Sequence, residues 1–219
     1  MLAVSGGSLG FEGLYRLSQD EVVQSMGKSD YLIILGNCGV TEVHADFYDN
    51  LALYRDLPCS VLFLDGSTDD YDLLSDHPLF PWNGGMTQSM SRGITHLMRG
   101  QVFRIDGRTI LTMGGCSTVG RTDLGKYYDW YPEQDIFPAD LQAAESNLEE
   151  VDGKVDLVLT CDCPASWRAG SATDCLQTSR CLDDLASLVT YRHWYFSNPV
   201  QMELPTVSAT GVAQTCIII

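Results

Sequence analysis

Short, unbroken apolar runs that end at glycine or a polar residue are the clearest pattern along the chain. Four runs have this form: residues 2–4, 31–35, 61–64 and 155–159. Runs of this length without alternating polar positions are typical of β-strands that are covered on both faces. They therefore predict the strands of a layered α/β domain.

Segments of helical length separate these runs. One begins with Thr41 as a helix cap and ends before Pro58, and a second covers residues 139–150 with Pro138 near its first turn. A third begins at Ser171 or Thr173, and its leucines recur every three residues, at positions 182, 185 and 188. That spacing predicts an amphipathic helix.

The centre of the chain has a different pattern. Residues 101–105 and 108–113 flank the dipeptide Asp106-Gly107, which predicts a hairpin with a type I′ turn. The tail from His193 onward, including the terminal residues 216–219, has the pattern of short strands and turns. We expect a single domain over residues 1–219, built as a sandwich of two mixed β-sheets with helices outside.

Charge narrows the classes of function. The chain has 29 acidic and 13 basic residues, a net charge of −16. Nucleic acids and anionic membrane surfaces repel such a protein, so neither is an expected partner. The first residues are too short an apolar stretch for a signal peptide, and the eight cysteines are scattered. These features predict a cytoplasmic protein.

Candidate chemistry lies in loops that follow the predicted strands. Four such loops contain glycine or cysteine: residues 6–10, 36–39, 66–69 and 160–164. Ligands of open α/β sheets bind outside the carboxyl ends of the strands. We therefore expect these loops to converge on one site.

The order and spacing of these loops resemble the calcineurin-like metallophosphoesterases, in particular a group of small bacterial members. That family carries G-D-x-H-G, G-D-x-G and G-N-H-E after successive strands, then a single histidine and a final G-H-x-H. Further matching phrases cover residues 70–74, 82–85, 96–103, 114–115 and 130–133. The resemblance extends over nearly the whole chain and implies the family's two-sheet sandwich.

The resemblance also implies that the family's metal ligands are replaced. The corresponding positions are Gly7, Leu9, Asn37, Ser67, Thr68, Asp69, Cys161, Asn198 and Val200. Asn37 stands where the family has the aspartate that bridges two metals, and none of the four histidines falls on a ligand position. Two-metal hydrolysis needs anionic and imidazole ligands around both cations. The expected protein is therefore a pseudoenzyme with no cofactor, which binds a protein partner or a small phosphate-containing ligand.

Other interpretations stay open at this stage. A rebuilt hydrolase site could use Cys161 and Cys163 for one zinc or manganese ion, together with Asn37 and Asp69. Asp162, Cys38 and Cys116 belong to the same set of candidates. Weak residual phosphoesterase activity is a further alternative. Backbone N–H groups of the glycine-rich loops could also hold a phosphate, assisted by Arg99, Arg121 or Arg168.

Overall fold

The computed structural model of the protein describes residues 1–7, 10–40, 47–118, 131–168 and 176–219. Thirteen strands in these ranges form two mixed sheets. Most connections between parallel neighbours cross over outside the sandwich, because parallel strands cannot be joined by a tight turn. The predicted class, two mixed sheets flanked by helices, is confirmed.

The first sheet has seven strands. In spatial order they are β13 (Cys216–Ile218), β1 (Leu2–Gly6), β2 (Tyr31–Leu35), β3 (Ser60–Phe63), β6 (Ile94–Leu97), β5 (Gly85–Ser91) and β4 (Leu79–Trp82). The four strands β1, β2, β3 and β6 run parallel, and antiparallel strands complete both edges. The carboxyl ends of the parallel strands therefore share one edge of the sandwich.

The second sheet has six strands. In spatial order they are β11 (Met202–Leu204), β12 (Ala209–Val212), β10 (Thr190–Ser197), β9 (Lys154–Thr160), β8 (Arg108–Met113) and β7 (Gln101–Ile105). Strands β8, β9, β10 and β12 run parallel. The predicted hairpin joins β7 to β8, and both turn residues have positive φ, 50° at Asp106 and 73° at Gly107. Positive φ at both positions is the signature of a type I′ turn.

Helices cover the outer faces. They are α1 (Gly10–Ser18), α2 (Glu21–Ser25), α3 (Phe47–Asp56), α4 (Tyr71–Ser75), α5 (Pro138–Glu149) and α6 (Gln177–Leu188). None of the helices in the described ranges is long and apolar enough to cross a membrane.

Three buried clusters hold the layers together. One, with Leu2, Ile33 and Leu159, lies between the sheets. A second packs the first sheet against helices α1 to α3, and a third packs the second sheet against α5 and α6. Successive residues of β1 show the division, because Leu2 belongs to the inner cluster and Ala3 to the first outer one. Strands buried on both faces need no polar alternation, which is why the sequence showed unbroken apolar runs.

Of two predicted helix starts, one differs from the structure and the other cannot be compared with it. The last helix does not begin at Ser171 or Thr173, because Leu176 has an extended backbone and the helix starts at Gln177. The predicted helix start at Thr41 lies outside the described residues. Strands β4 to β6 and helices α1, α2 and α4 were not predicted, because their sequences lack long apolar runs.

Candidate functional site

The loops after β1, β2, β3 and β9 meet at the shared edge of the sandwich, as the sequence predicted. We call the residues at this meeting point the closed loop cluster: Gly7, Gly36, Asn37, Thr68 and Cys161. It contains five of the positions at which the resemblance puts metal-site residues or their flanking glycines. Its interior is filled mainly by backbone.

Close backbone approach defines the centre of the closed loop cluster. A Cβ atom added to Gly7 would overlap the carbonyl oxygen of Gly36 and lie 2.6 Å from its carbonyl carbon. A Cβ atom at Gly36 would overlap the Cys161 sulfur and lie 2.9 Å from Cys161 Cβ, and Gly36 has a φ of +91°. Both positions therefore require glycine. No carboxylate fits at position 7 while Gly36 keeps this place.

The side chains around this centre already have partners. Asn37 Oδ1 accepts hydrogen bonds from the backbone nitrogen of Thr68 at 2.9 Å and from its hydroxyl at 3.2 Å. Asp69 Oδ2 accepts one from the Gly66 nitrogen at 2.6 Å, which closes the loop on itself. Ser67 lies between them and is half-buried. These contacts use the oxygens that a metal would need.

The two cysteines of the Cys-x-Cys pair have different surroundings. Cys161 lies beside Gly36, and its hydrogen bond with the Cys116 thiol, together with burial, raises the pKa of Cys161 well above its ordinary value. Cys163 belongs instead to the buried cluster under α6, where burial and the charge of Asp162 raise its pKa to about 11. Because metals bind the thiolate form, both environments oppose metal binding.

The remaining predicted positions do not extend the site. Ser197 accepts a hydrogen bond from the Gly7 nitrogen at 3.0 Å, which brings the end of β10 to the cluster. The Asn198 amide, however, donates to the carbonyl of Val200 at 2.7 Å, and Val200 is largely exposed. Leu9, His44 and Arg121 lie outside the described residues.

The residues present do not fit the two metals that the resemblance implies. In the part of the chain that the structure describes, no three histidine, cysteine, aspartate or glutamate side chains are grouped so that they could hold a metal ion. Asp69, the acidic residue among the predicted ligand positions, accepts a hydrogen bond within its own loop.

A second group of residues, of which the sequence singled out only Arg99, lies next to the closed loop cluster. We call it the Asp65 network: Asp65, Tyr71, Gln88, His96 and Arg99. Asp65 Oδ2 accepts from Arg99 Nε and from the Tyr71 hydroxyl, both at 2.9 Å, and Oδ1 contacts His96 Nε2 at 3.1 Å. Burial alone would raise the pKa of Asp65, but Arg99 and His96 hold it well below its usual range.

Both ring nitrogens of His96 face an acceptor oxygen. The Gln88 amide nitrogen donates to the carbonyls of Leu74 and His77, each at 2.9 Å, so Gln88 Oε1 must face His96 Nδ1, at 2.9 Å. The other nitrogen, Nε2, lies 3.1 Å from the acceptor-only carboxylate of Asp65. Both ring nitrogens therefore have protein partners.

Arg99 has no unused donor. Its Nε and one terminal nitrogen bind Asp65, and the terminal nitrogens also donate to Tyr71, to Asp140 and to the carbonyls of Glu133 and Asp135. Burial lowers the pKa of Arg99, but the charge of Asp65 opposes this and the pKa is raised overall. The guanidinium therefore stays charged. Arg99 thus ties the end of β6 to the segment before α5. Its predicted role in ligand binding stays a prediction.

Arg168, the other described arginine proposed for phosphate, forms an ion pair with Asp162. Asp162 also accepts a hydrogen bond from the Ser179 hydroxyl at 2.9 Å. This pairing joins the loop after β9 to helix α6 and partly neutralises the charge that a phosphate would need.

A cavity opens directly above the Asp65 network. Its volume is about 410 Å³, and it lies between α4 and the segment that leads into α5. Its lining residues are Asp65, Tyr71, Asp72, Leu74, Ser75, Gln88, His96, Met98, Arg99, Glu133, Phe137 and Asp140.

One sequence signal could have located this second region. Asp65 directly follows a buried apolar run, His96 lies in a second parallel strand, β6, and Arg99 follows that strand. Strand β6 was not predicted, because its four residues carry Thr95 and His96 among apolar neighbours. Without that strand, the convergence of Asp65 with His96 and Arg99 was not visible.

No protein-family model matches the chain, and no curated protein matches it either.

Proposed function

We propose that this protein is a non-catalytic relative of the calcineurin-like metallophosphoesterases, which acts by binding a partner or ligand at the carboxyl edge of its sheets. The proposal combines the motif order in the sequence with the geometry of the closed loop cluster. The two-sheet sandwich is compatible with that family but is shared by other α/β proteins, so the fold alone does not carry it.

One observation carries the non-catalytic part of the proposal. The backbone of Gly36 fills the space that a metal-binding side chain at Gly7 would need. The geometry at position 7 therefore requires glycine, and a single substitution would not create a metal ligand there. Restoring the carboxylate would require the loop after β2 to move.

A second candidate function rests on the pairing of two thiols. Cys116 and Cys161 are hydrogen-bonded at the end of adjacent parallel strands, so two sulfurs meet beside Gly36. Such a pair could bind one soft cation such as zinc, in a hydrolase with a rebuilt site. The raised pKa of Cys161 works against this alternative, because the thiol must lose its proton first.

Metal analysis and a phosphoesterase assay distinguish the two candidates. Protein purified without chelator is analysed for zinc and manganese, and hydrolysis of bis(p-nitrophenyl) phosphate is measured with added Mn²⁺. We expect no stoichiometric metal and no turnover above that of a heat-denatured sample. The Gly7→Asp variant is also expected to bind no manganese.

Two results would count against the proposal. Stoichiometric zinc that disappears in the Cys161→Ser variant, but not in the Cys59→Ser variant, would favour the rebuilt site. Cys59 is a suitable control because it is buried in the outer cluster under the helices. Manganese-dependent turnover in the unsubstituted protein would instead indicate residual phosphoesterase activity.

A further inference from the structure

The cavity above the Asp65 network has the dimensions and position of a small-ligand site. Its volume of about 410 Å³ falls within the range of ligand pockets, which is roughly 300–1,000 Å³. It opens at the carboxyl ends of β3 and β6, where open α/β sheets bind ligands. Leu74, Met98 and the partly exposed Phe137 give it apolar walls.

The side-chain donors that line the cavity are all committed to protein acceptors. Tyr71 donates to Asp65 and Gly66, and Ser75 donates to the Asp72 carbonyl. The amide of Gln88, both nitrogens of His96 and the guanidinium of Arg99 are also fully used, as described above. A phosphate or carboxylate ligand would therefore meet no available side-chain donor among these residues.

The acceptors are in the opposite situation. Asp72 and Glu133 are exposed residues that line the cavity, and neither carboxylate makes a hydrogen bond or ion pair with any residue in the described ranges. Four carboxylates line the space, against the guanidinium of Arg99 and the imidazole of His96. The chain's net charge of −16 adds to this field. A cationic ligand is favoured on both counts.

We propose that the cavity binds an organic cation, either an ammonium or a guanidinium group carried on a short apolar stem. The cationic head lies between Asp72 and Glu133, and the stem packs on Leu74, Met98 and Phe137. The Asp65 network forms a rigid floor and makes no new bond. This inference rests on the proposed binding role and names the chemistry of its ligand.

Two sources could supply this chemistry, a free alkylamine or the lysine or arginine side chain of a partner protein. Isothermal titration calorimetry at low salt tests both, with butylguanidinium as the small probe and the blocked tripeptide acetyl-Ala-Arg-Ala-amide as the peptide probe. Butylurea serves as the neutral analogue of the same shape, and inorganic phosphate as the anion.

The acidic residues provide matched variants. In Asp72→Asn/Glu133→Gln, both unpaired carboxylates become neutral, and we expect the affinity for butylguanidinium to fall about tenfold or more. The control is Glu145→Gln/Glu149→Gln, which removes the same charge from the exposed face of α5 outside the cavity and leaves the affinity within about twofold. Thermal unfolding of both variants shows that they fold.

The possible outcomes separate clearly. Binding of butylguanidinium but not butylurea, lost in the cavity variant alone, supports the inference, and the tighter of the two cationic probes identifies the source. Equal binding of butylurea, equal loss in the control variant, or no binding of either cationic probe would overturn it. Phosphoesterase turnover in a protein that binds the cation would overturn the proposed non-catalytic role and leave the cavity's ligand class intact.

Discussion

The closed loop cluster and the Asp65 network lie side by side at the same edge of the sandwich but are built in opposite ways. In the loop cluster, glycine, asparagine and a neutral thiol occupy the centre, and backbone fills the space. In the Asp65 network, a buried carboxylate is held by a guanidinium, an imidazole and a phenol. A cavity of about 410 Å³ lies above the charged region.

Loops with neutral side chains can pack directly against each other, because no like charges need to be separated. Charges that remain buried must be fully paired, since an unpaired buried charge is costly. The Asp65 network therefore stabilises the junction of β3, β6 and the segment before α5.

The largest expected effect comes from breaking that network. Replacing Asp65 with asparagine removes the buried carboxylate that faces both Arg99 and His96, and leaves Asp140 as the remaining anionic partner of Arg99. We expect the free energy of unfolding to fall by about 3–5 kcal/mol, measured by urea denaturation. The control is Asp106→Asn, because Asp106 is exposed and asparagine also suits its type I′ turn. A similar loss in both variants would mean that the network contributes no special stability.

A smaller loss is expected from adding a side chain to the closed loop cluster. The Gly7→Ala variant forces a methyl group against the Gly36 carbonyl, and the loop must shift to accept it. We predict a loss of about 2 kcal/mol in unfolding free energy by the same method. Gly27→Ala provides the comparison, because the nearest atom to its added Cβ is 3.7 Å away. An unchanged stability of Gly7→Ala would show that the cluster is loosely packed.

Acid is expected to weaken the Asp65 network more than the closed loop cluster. The pKa of Asp65 is depressed in the folded protein, so below pH 4 the unfolded chain takes up a proton that the folded chain does not. The stability from this carboxylate is present above pH 4 and is lost as the pH falls, by up to about 1.4 kcal/mol per pH unit. Urea denaturation of the unsubstituted protein and Asp65→Asn between pH 5 and pH 3 measures it. Identical slopes for the two proteins would contradict a depressed pKa.

The smallest effect concerns the thiol in the loop cluster. Because the Cys116 hydrogen bond and burial raise the pKa of Cys161, its thiolate is scarce at neutral pH. We expect iodoacetamide to modify Cys161 more than about tenfold more slowly in the folded protein than in urea, as followed by mass spectrometry of peptides. Rapid modification in the folded state would favour the rebuilt cysteine site.

Much of the fold was predictable because its strands are buried on both faces. Strand β2 has the predicted bounds, and the hairpin around Asp106 follows from local turn chemistry. Strands β4 to β6 were missed because β4 has only four residues, one of them Pro81, and because polar residues interrupt β5 and β6. The convergence of the loops after β1, β2, β3 and β9 was also predicted, since parallel strands end at one edge.

The candidate site was only half predictable. The motif order gave the positions at which the resemblance puts metal ligands, and three of these, Gly7, Asn37 and Cys161, lie together. The overlap between Gly7 and Gly36 could not be anticipated, because it depends on the distance between two loops 29 residues apart in the chain. The same limit applies to Asp65 and Arg99, which are joined only when β3 and β6 pair.

The sequence by itself determined the layers of this protein, because the burial of apolar strands and the geometry of turns depend on neighbouring residues. It also determined which coordinating side chains the loops contain. Only the tertiary structure decided which polar groups are already paired, since hydrogen bonds among Asp65, His96 and Arg99 depend on strand order and loop packing. Because those pairings use the side-chain donors that line the cavity, only hydrogen-bond acceptors remain for a ligand. This preference is therefore a property of the fold and not of any local motif.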